Sequence, residues 1–117
     1  MRRHGTLESI ILNSIWRLEE DGTYKHSVKE VWENINEETD SKRAYTTIKT
    51  VMDRLFEKEV LLRVKQGKKF YYRSAYSRAD ILRNSLEDIA DKYLMGNIEE
   101  LARYTTNLCR NRVSLNG

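Results

Sequence analysis

The segment that most constrains the fold of this chain runs from residue 41 to residue 78, where the spacing of apolar residues changes from that of a helix to that of a strand. In its first part, apolar residues recur at helical spacing and predict a buried stripe made of Ala44, Ile48, Val51, Met52 and Leu55. From Leu61 onward, apolar and basic residues alternate on either side of a Gln66-Gly67-Lys68 turn. A helix that leads directly into a short hairpin predicts a winged helix-turn-helix, and so a mainly α chain with a small β-hairpin.

Two helices are predicted upstream of this segment. The first occupies residues 7–20 and ends before Gly22. Its apolar stripe consists of Leu7, Ile11, Ile15 and Leu18. Ser27 and Glu30 predict a capping box for the second helix, in which each side chain accepts a hydrogen bond from the other residue's backbone N–H. We expect the second helix to end near Asn36, where a polar turn begins.

Positive charge is concentrated in the same central segment. Residues 41–78 contain 11 Lys or Arg and 3 acids, a net charge of +8, although the whole chain carries only +3. Residues 1–40 contain 5 cations and 9 acids, and residues 79–117 contain 5 and 6. An ordinary solvated surface would not sort its charges by segment. Clustered cations beside a short polar helix suit DNA, because each phosphate that is neutralised releases condensed counterions.

The third helix, which we expect Asp40 or Ser41 to cap, has a polar and mostly cationic face opposite its buried stripe. Lysine and arginine can donate to guanine, and threonine offers a hydroxyl or a methyl group to a base edge. Long cations at the margin of the helix and on the hairpin suit phosphates better than bases. The residues that this pattern predicts to contact DNA are Lys42, Arg43, Thr46, Thr47, Lys49, Thr50, Arg54, Lys65, Lys68, Lys69 and Arg73.

A helical tail is predicted after the hairpin, with a break at Gly96-Asn97 between two amphipathic helices. Two such helices are too small to bury both apolar stripes alone, and each Leu or Ile that is buried contributes about 1.5–3 kcal/mol. A second copy of the chain is the favoured partner, and packing on the chain's own winged domain is the alternative. The sequence thus predicts a DNA-binding domain over residues 1–76 and a dimerisation region over residues 77–117. The predicted dimer contacts are Leu82, Leu86, Ile89, Tyr93, Ile98 and Leu101.

Little in the sequence points to catalysis, a metal or a cofactor. His4 and His26 have no evident partners, the acidic runs suit solvated helix ends, and no glycine-rich phosphate loop is present. Cys109 is expected to be a free reduced thiol, with an intermolecular disulfide or a sensor role as the alternative. No apolar run could cross a bilayer, and the N-terminus lacks the apolar stretch of a signal peptide. We therefore expect a cytoplasmic protein that is not an enzyme, has no cofactor and has no membrane partner.

The segment AYTTIKTVMDRLFEKEVLLRVKQGKKFYY resembles the recognition helix and wing of the penicillinase-repressor family, which typically reads YTTVKTLLDRL, then KKGLL, then two alternating aromatic residues. The resemblance covers residues 7–108 and is strongest over residues 44–73. It implies a dimeric, operator-binding repressor, and it carries DNA contacts onto Tyr45, Thr46, Thr47 and Lys49. Family members that answer β-lactams are cleaved in the dimerisation tail. The resemblance therefore also implies a regulatory protease or sensor as a partner. Because glycine weakens a helix, we expect the tail to open at Gly96-Asn97.

Three positions depart from the family pattern. Glu59 replaces the glycine that usually ends the recognition helix, so this turn is expected to be tighter or strained. Ser74 replaces a proline that often closes the wing. Cys109 alone cannot supply the paired Cys-x-Cys motifs of the copper-responsive branch, so copper sensing is not expected.

The sequence thus leads to one hypothesis and one main rival. The hypothesis is a transcriptional repressor that binds double-stranded DNA at a dyad-symmetric operator as a homodimer. The rival is a winged-helix adaptor whose basic face binds an acidic protein. An enzyme is the third and weakest interpretation.

Overall fold

The structure is a computed structural model that describes residues 6–116, with side chains for residues 6–112. It confirms the predicted fold class, because helices and one antiparallel hairpin follow each other in winged-helix order. The α-helices are α1 (Thr6–Leu18), α2 (Val28–Glu38), α3 (Tyr45–Glu57), α4 (Arg78–Tyr93) and α5 (Ile98–Asn116), and the strands are β1 (Leu61–Gln66) and β2 (Lys69–Ser74). A short 3-10 turn, Glu19–Asp21, extends α1. The chain divides into two compact units between Ser77 and Arg78.

The first unit, residues 6–77 of the described chain, is called the winged unit, and its core lies where α1, α2, α3 and the hairpin meet. Its fully or almost fully buried residues are Ile11, Ile15, Val28, Val31, Ile35, Ile48, Val51, Met52, Leu55, Leu61 and Tyr72. Four of the five residues in the predicted stripe of the third helix belong to this core. Ala44, the fifth, is exposed, because it precedes the first turn of α3 instead of lying within it.

The predicted limits of α1 and α2 agree closely with the structure. Gly22 stops the extension of α1 with a φ of +87°, a left-handed conformation that glycine adopts without strain. The capping box is confirmed, since Ser27 Oγ accepts from Glu30 N at 3.1 Å and Glu30 Oε1 accepts from Ser27 N at 3.3 Å. The end of α2 lies at Glu38, slightly beyond the expected position near Asn36.

The predicted start of the third helix was wrong. Neither Asp40 nor Ser41 caps α3, which begins at Tyr45 and has no side-chain cap at Ala44. The preceding turn is instead fastened to α2 through the backbone of Arg43. Asn36 Oδ1 accepts from Arg43 N at 2.9 Å, and Asn36 Nδ2 donates to Arg43 O at 3.1 Å. Because the Asn36 side chain satisfies the backbone N–H and C=O of Arg43, the turn remains non-helical for several residues longer than the polar sequence suggests.

The turn from α3 into β1 uses the residue that departs from the family pattern. Glu59 has a φ of +63°, in the left-handed region that disfavours residues with a Cβ atom. Three backbone hydrogen bonds close this turn, from Lys58 N to Arg54 O at 3.0 Å, from Glu59 N to Phe56 O at 2.9 Å and from Val60 N to Leu55 O at 2.9 Å. The helix thus ends with the geometry that glycine usually provides, but with glutamate.

The wing is a hairpin with a two-residue loop. β1 pairs with β2 from Leu61 opposite Ser74 to Gln66 opposite Lys69, and Gly67 in the loop has a φ of +63°. On its other edge β2 receives a short bridge, in which Tyr72 N donates to His26 O at 2.7 Å and His26 N donates to Tyr72 O at 2.9 Å. Strand β2 therefore has neighbours on both sides.

The exit from the wing is held by Ser74, the second position that departs from the family pattern. The carboxylate of Glu19, which is almost fully buried, accepts from Ser74 N at 2.9 Å and from Ser74 Oγ at 2.6 Å. A proline at this position has no N–H and could not make the first of these bonds. Two residues later, Tyr76 O accepts from Trp16 Nε1 at 3.0 Å. Both contacts join the end of the winged unit to its beginning.

The second unit consists of α4 and α5. At the end of α4, Leu94 N and Gly96 N both donate to Ala90 O, at 2.8 and 2.9 Å. Met95 and Gly96 have φ values of +54° and +81°, and Asn97 Oδ1 then accepts from Glu100 N at 2.9 Å at the start of α5. The predicted break is therefore a compact, hydrogen-bonded turn. Across residues 6–116, no helix is long and apolar enough to cross a membrane.

Candidate nucleic-acid interface

The outer face of α3 presents short polar and cationic side chains. Its exposed residues are Tyr45, Thr46, Thr47, Lys49, Thr50 and Arg54, with Glu57 at the C-terminal end of the helix. Thr50 Oγ1 donates to Thr46 O at 2.9 Å within the helix, which leaves the oxygen lone pairs and the methyl group of Thr50 available to a ligand. Lys49 Nζ lies 3.1 Å from Asp53 Oδ2, one turn further along the helix. This face can donate and accept hydrogen bonds over its first two turns.

Tyr45 differs from the other residues of this face because its ring is fixed. It packs edge-to-face on Trp32 of α2, with ring centroids 5.8 Å apart and an angle of 84° between the planes. The indole N–H of Trp32 donates to Arg43 O at 2.8 Å. The first residue of α3 is thus anchored to α2 while part of its side chain remains exposed.

Two predicted contact residues do not lie on the helix. Lys42 and Arg43 belong to the turn before α3. Lys42 Nζ donates to Asn36 O and, at 3.4 Å, to Thr39 O, so its charge lies over the carbonyl end of α2. Arg43 is half-buried and fastened through its backbone, as described above. Both cations remain beside the first turn of α3, where backbone phosphates suit them better than bases.

The predicted wing cations are all exposed. These residues are Lys65, Lys68, Lys69 and Arg73. Sequence reasoning missed Lys25, whose Nζ donates to Gln66 Oε1 and lies 5.0 Å from the centroid of the Tyr71 ring. In the sequence, Lys25 stands out only because it lies just before the capping box. That position does not show that Lys25 contacts a wing residue more than 40 residues away.

A cleft of about 330 Å³ lies between the start of α2, the outer face of α3 and the wing. Its lining residues are Ser27, Val28, Lys29, Tyr45, Lys49, Lys68, Lys69, Phe70 and Tyr72. Four lysines from three separate elements therefore meet around one opening, and no acidic residue lines it. Lys29 was missed because it belongs to a segment that is acidic as a whole. The cleft can attract an anion through charge, and three aromatic side chains also line it.

One carboxylate connects α3 to both strands of the wing. Asp53 Oδ1 accepts from the Tyr72 hydroxyl at 2.7 Å and from Arg63 at 3.3 Å. The guanidinium of Arg63 lies between the rings of Phe56 and Phe70, 3.9 and 4.1 Å from their centroids. Arg63 was absent from the predicted contacts, and the structure assigns it to the joint between helix and wing instead.

The electrostatics of this joint follow from its contacts. Burial of the Asp53 carboxyl acts to raise its pKa, but the hydrogen bonds from Tyr72 and Lys49, and then the charges of Lys49 and Arg63, outweigh burial. The pKa of Asp53 consequently lies below its ordinary value of 3.8. Burial, followed by the bond to Asp53, raises the pKa of the Tyr72 hydroxyl above its ordinary value of 10.0. The tyrosine therefore stays protonated and continues to donate.

Three residues were considered above for catalysis, metal binding or redox chemistry, namely His4, His26 and Cys109. His26 is only 3% exposed, and its Nδ1 lies 3.0 Å from Glu30 Oε2 while its Nε2 lies 2.7 Å from Thr23 O. It supports the loop that bridges to the wing. His4 lies outside the described residues. Cys109 is a free and exposed thiol.

Most of the predicted dimer contacts are exposed in the single chain. Five of them are exposed, namely Leu82, Leu86, Ile89, Tyr93 and Ile98, whereas Leu101 is half-buried. Tyr104 and Leu108 on α5 are exposed as well. Exposed apolar side chains in this number are typical of an interaction surface.

A search of curated proteins found no significant match. The sequence matches the penicillinase repressor family over residues 4–109, which is nearly the whole chain. The match includes the winged unit, its basic face and most of the helical tail. The chain therefore belongs to the penicillinase repressor family of DNA-binding transcriptional repressors.

Proposed function

We propose that this protein represses transcription by binding, as a homodimer, to a two-fold symmetric site in double-stranded DNA. The observation that carries the proposal is the meeting of lysines from α2, α3 and the wing around one cleft beside the polar face of α3. A duplex presents a groove for the helix and phosphates on either side for the surrounding cations.

The side chains divide between base reading and phosphate contact. Thr46, Thr47, Lys49 and Thr50 would enter the major groove, because they are short or directional and lie on the exposed face of α3. The cations that would hold phosphates are Lys42, Arg43, Arg54, Lys65, Lys68, Lys69 and Arg73, joined by Lys29 at the mouth of the cleft. Tyr45 would position the start of α3 through its packing on Trp32.

The helical tail would make the dimer. In this proposal residues 1–76 bind DNA and residues 77–117 bring two copies together. The exposed apolar side chains of α4 and α5 supply a surface that association would bury. Linking two winged units raises affinity because the second unit binds at a high effective concentration.

Selection of bound sequences from random duplex DNA tests this function directly. Enrichment of a dyad-symmetric sequence is the expected result, whereas recovery of unrelated sequences would support the rival adaptor function. On the enriched duplex, Thr46→Ala should cost about 1–3 kcal/mol and relax sequence preference. Lys68→Ala serves as the matched comparison, because loss of a phosphate contact should weaken all duplexes about equally.

We further infer that release from DNA acts through the tail, with a protease or sensor as the regulatory partner. The turn at Gly96 is the favoured place, because Met95 is completely exposed there and has a positive φ. A protease recognition sequence inserted between Gly96 and Asn97 should leave operator binding intact until the protease is added. Tight binding that survives complete cleavage would place control elsewhere.

A further inference from the structure

Asp53 occupies a junction that the DNA-contact proposal does not explain. It lies on α3 in the half-buried zone between the exposed face and the core. One of its oxygens contacts Tyr72 on β2 and Arg63 on β1, and the other contacts Lys49 on its own helix. A single carboxylate thus joins the recognition helix, both wing strands and a cation that lines the cleft.

The distances indicate which residue of this junction positions the others. The bond from the Tyr72 hydroxyl, at 2.7 Å, is the shortest of the three, and Tyr72 itself is only 1% exposed. Since the ring of Tyr72 is fixed in the core, its hydroxyl sets where the carboxylate lies. The carboxylate in turn sets the position of Lys49 Nζ, 3.1 Å away, at the edge of the cleft.

We propose that Asp53 is a positioning residue for DNA recognition, which fixes the wing relative to α3 and restrains Lys49. The inference rests on the proposed function and deepens it, because it assigns sequence specificity to a residue that need not touch DNA. Fixing the helix and wing at one mutual angle lets both reach their contacts on a matching site without further ordering. Restraining Lys49 also prevents it from following any phosphate on a non-matching site.

Asp53→Asn tests this role, because asparagine keeps the size of the side chain but removes the charge that holds Lys49 and Arg63. Affinity for the selected duplex should fall about tenfold, the typical effect of losing one directional contact. Affinity for a scrambled duplex should rise. The slope of log affinity against log salt concentration should steepen by up to about 0.9, because Lys49 becomes free to contact one more phosphate. The two affinities should therefore move in opposite directions.

Two further variants separate position from charge and stability. Glu57→Gln adds the same charge increment at an exposed site one turn further along α3, so it should strengthen both duplexes alike. Tyr72→Phe leaves the charge unchanged and removes only the hydroxyl bond to Asp53, so it should weaken the selected duplex and leave the scrambled one unaltered. Circular dichroism at the assay temperature would establish that each variant is folded.

The outcomes are distinct. Equal loss on both duplexes by folded Asp53→Asn would mean a merely structural role, and unchanged affinity for both duplexes would mean no role; either result overturns the inference. Failure of the unaltered protein to enrich any duplex would instead overturn the proposed function itself. Opposite movement in Asp53→Asn, with parallel movement in Glu57→Gln, would support the inference.

Discussion

At Glu59 the backbone leaves α3 through a conformation with a φ of +63°. In this region a residue with a Cβ atom destabilises the folded state by about 1–2 kcal/mol. Replacing it by glycine removes this cost, but glycine also has more conformational freedom in the unfolded chain, which cancels part of the gain in stability. Glu59→Gly should therefore stabilise the protein by about 0.5–1 kcal/mol. Urea denaturation at a fixed protein concentration would measure the change.

Glu57→Gly is the matched control for this prediction. Glu57 is the last residue of α3 and has helical backbone, so glycine there should destabilise the protein by up to about 1 kcal/mol. Opposite signs at two positions only two residues apart would attribute the effect to backbone conformation and not to loss of a negative charge. The same sign at both would contradict the explanation.

The lowered pKa of Asp53 predicts how stability changes with pH. A carboxyl whose pKa is lower in the folded state contributes stability above its unfolded pKa and loses it as pH falls through the folded value. The groups that face its carboxylate are Lys49, Arg63 and Tyr72. The difference in unfolding free energy between the unaltered protein and Asp53→Asn should thus be constant near neutrality and shrink below about pH 4. A difference that stays constant down to pH 2 would contradict this.

At the scale of elements, periodicity was enough to predict the helices and hairpin but not every boundary. The beginning of α3 escaped prediction because Asn36, on another helix, fastens the turn before it. Alternation in the wing shows which residues share a face but not which face packs on α3. Arg63 was overlooked for this reason, since its inward position depends on the rings of Phe56 and Phe70.

Tertiary contacts also limit how much of the candidate site can be predicted from the sequence. The cations of α3 and of the wing are close in sequence, so charge counting finds them together. Lys25 and Lys29 join them only through tertiary structure, because α2 begins beside the wing. A count over residues 1–40 averages both into an acidic segment.

For α4 we predict that Leu86→Asp prevents dimer formation. Leu86 is exposed in the single chain, and a charge placed there would be desolvated at a dimer contact, with a penalty of several kcal/mol. Asn84→Asp adds the same charge to a polar position on the opposite side of the helix and should leave the dimer intact. Light scattering at micromolar concentration would compare them; a monomeric unaltered protein would contradict the prediction.

At the scale of the whole molecule, a fragment of residues 1–77 should keep the winged fold but lose tight binding. It retains Tyr76, whose carbonyl accepts from Trp16, and the bonds between Ser74 and Glu19. Without the tail, apparent affinity for the two-fold site should fall by about 10²–10⁴, the usual contribution of linking two weak contacts. Titration of the fragment and the full chain against the same duplex would show it. Equal affinity would mean that one winged unit suffices.

The contacts that join the two ends of the winged unit also impose an order on its synthesis. Ser74 and Glu19 are 55 residues apart, and Tyr76 and Trp16 are 60 apart. Because translation proceeds from the N-terminus, α1 to α3 emerge from the ribosome before Ser74 and Tyr76 emerge. A nascent chain can therefore collapse around its three helices early, but it acquires a fixed wing only when residue 76 has emerged.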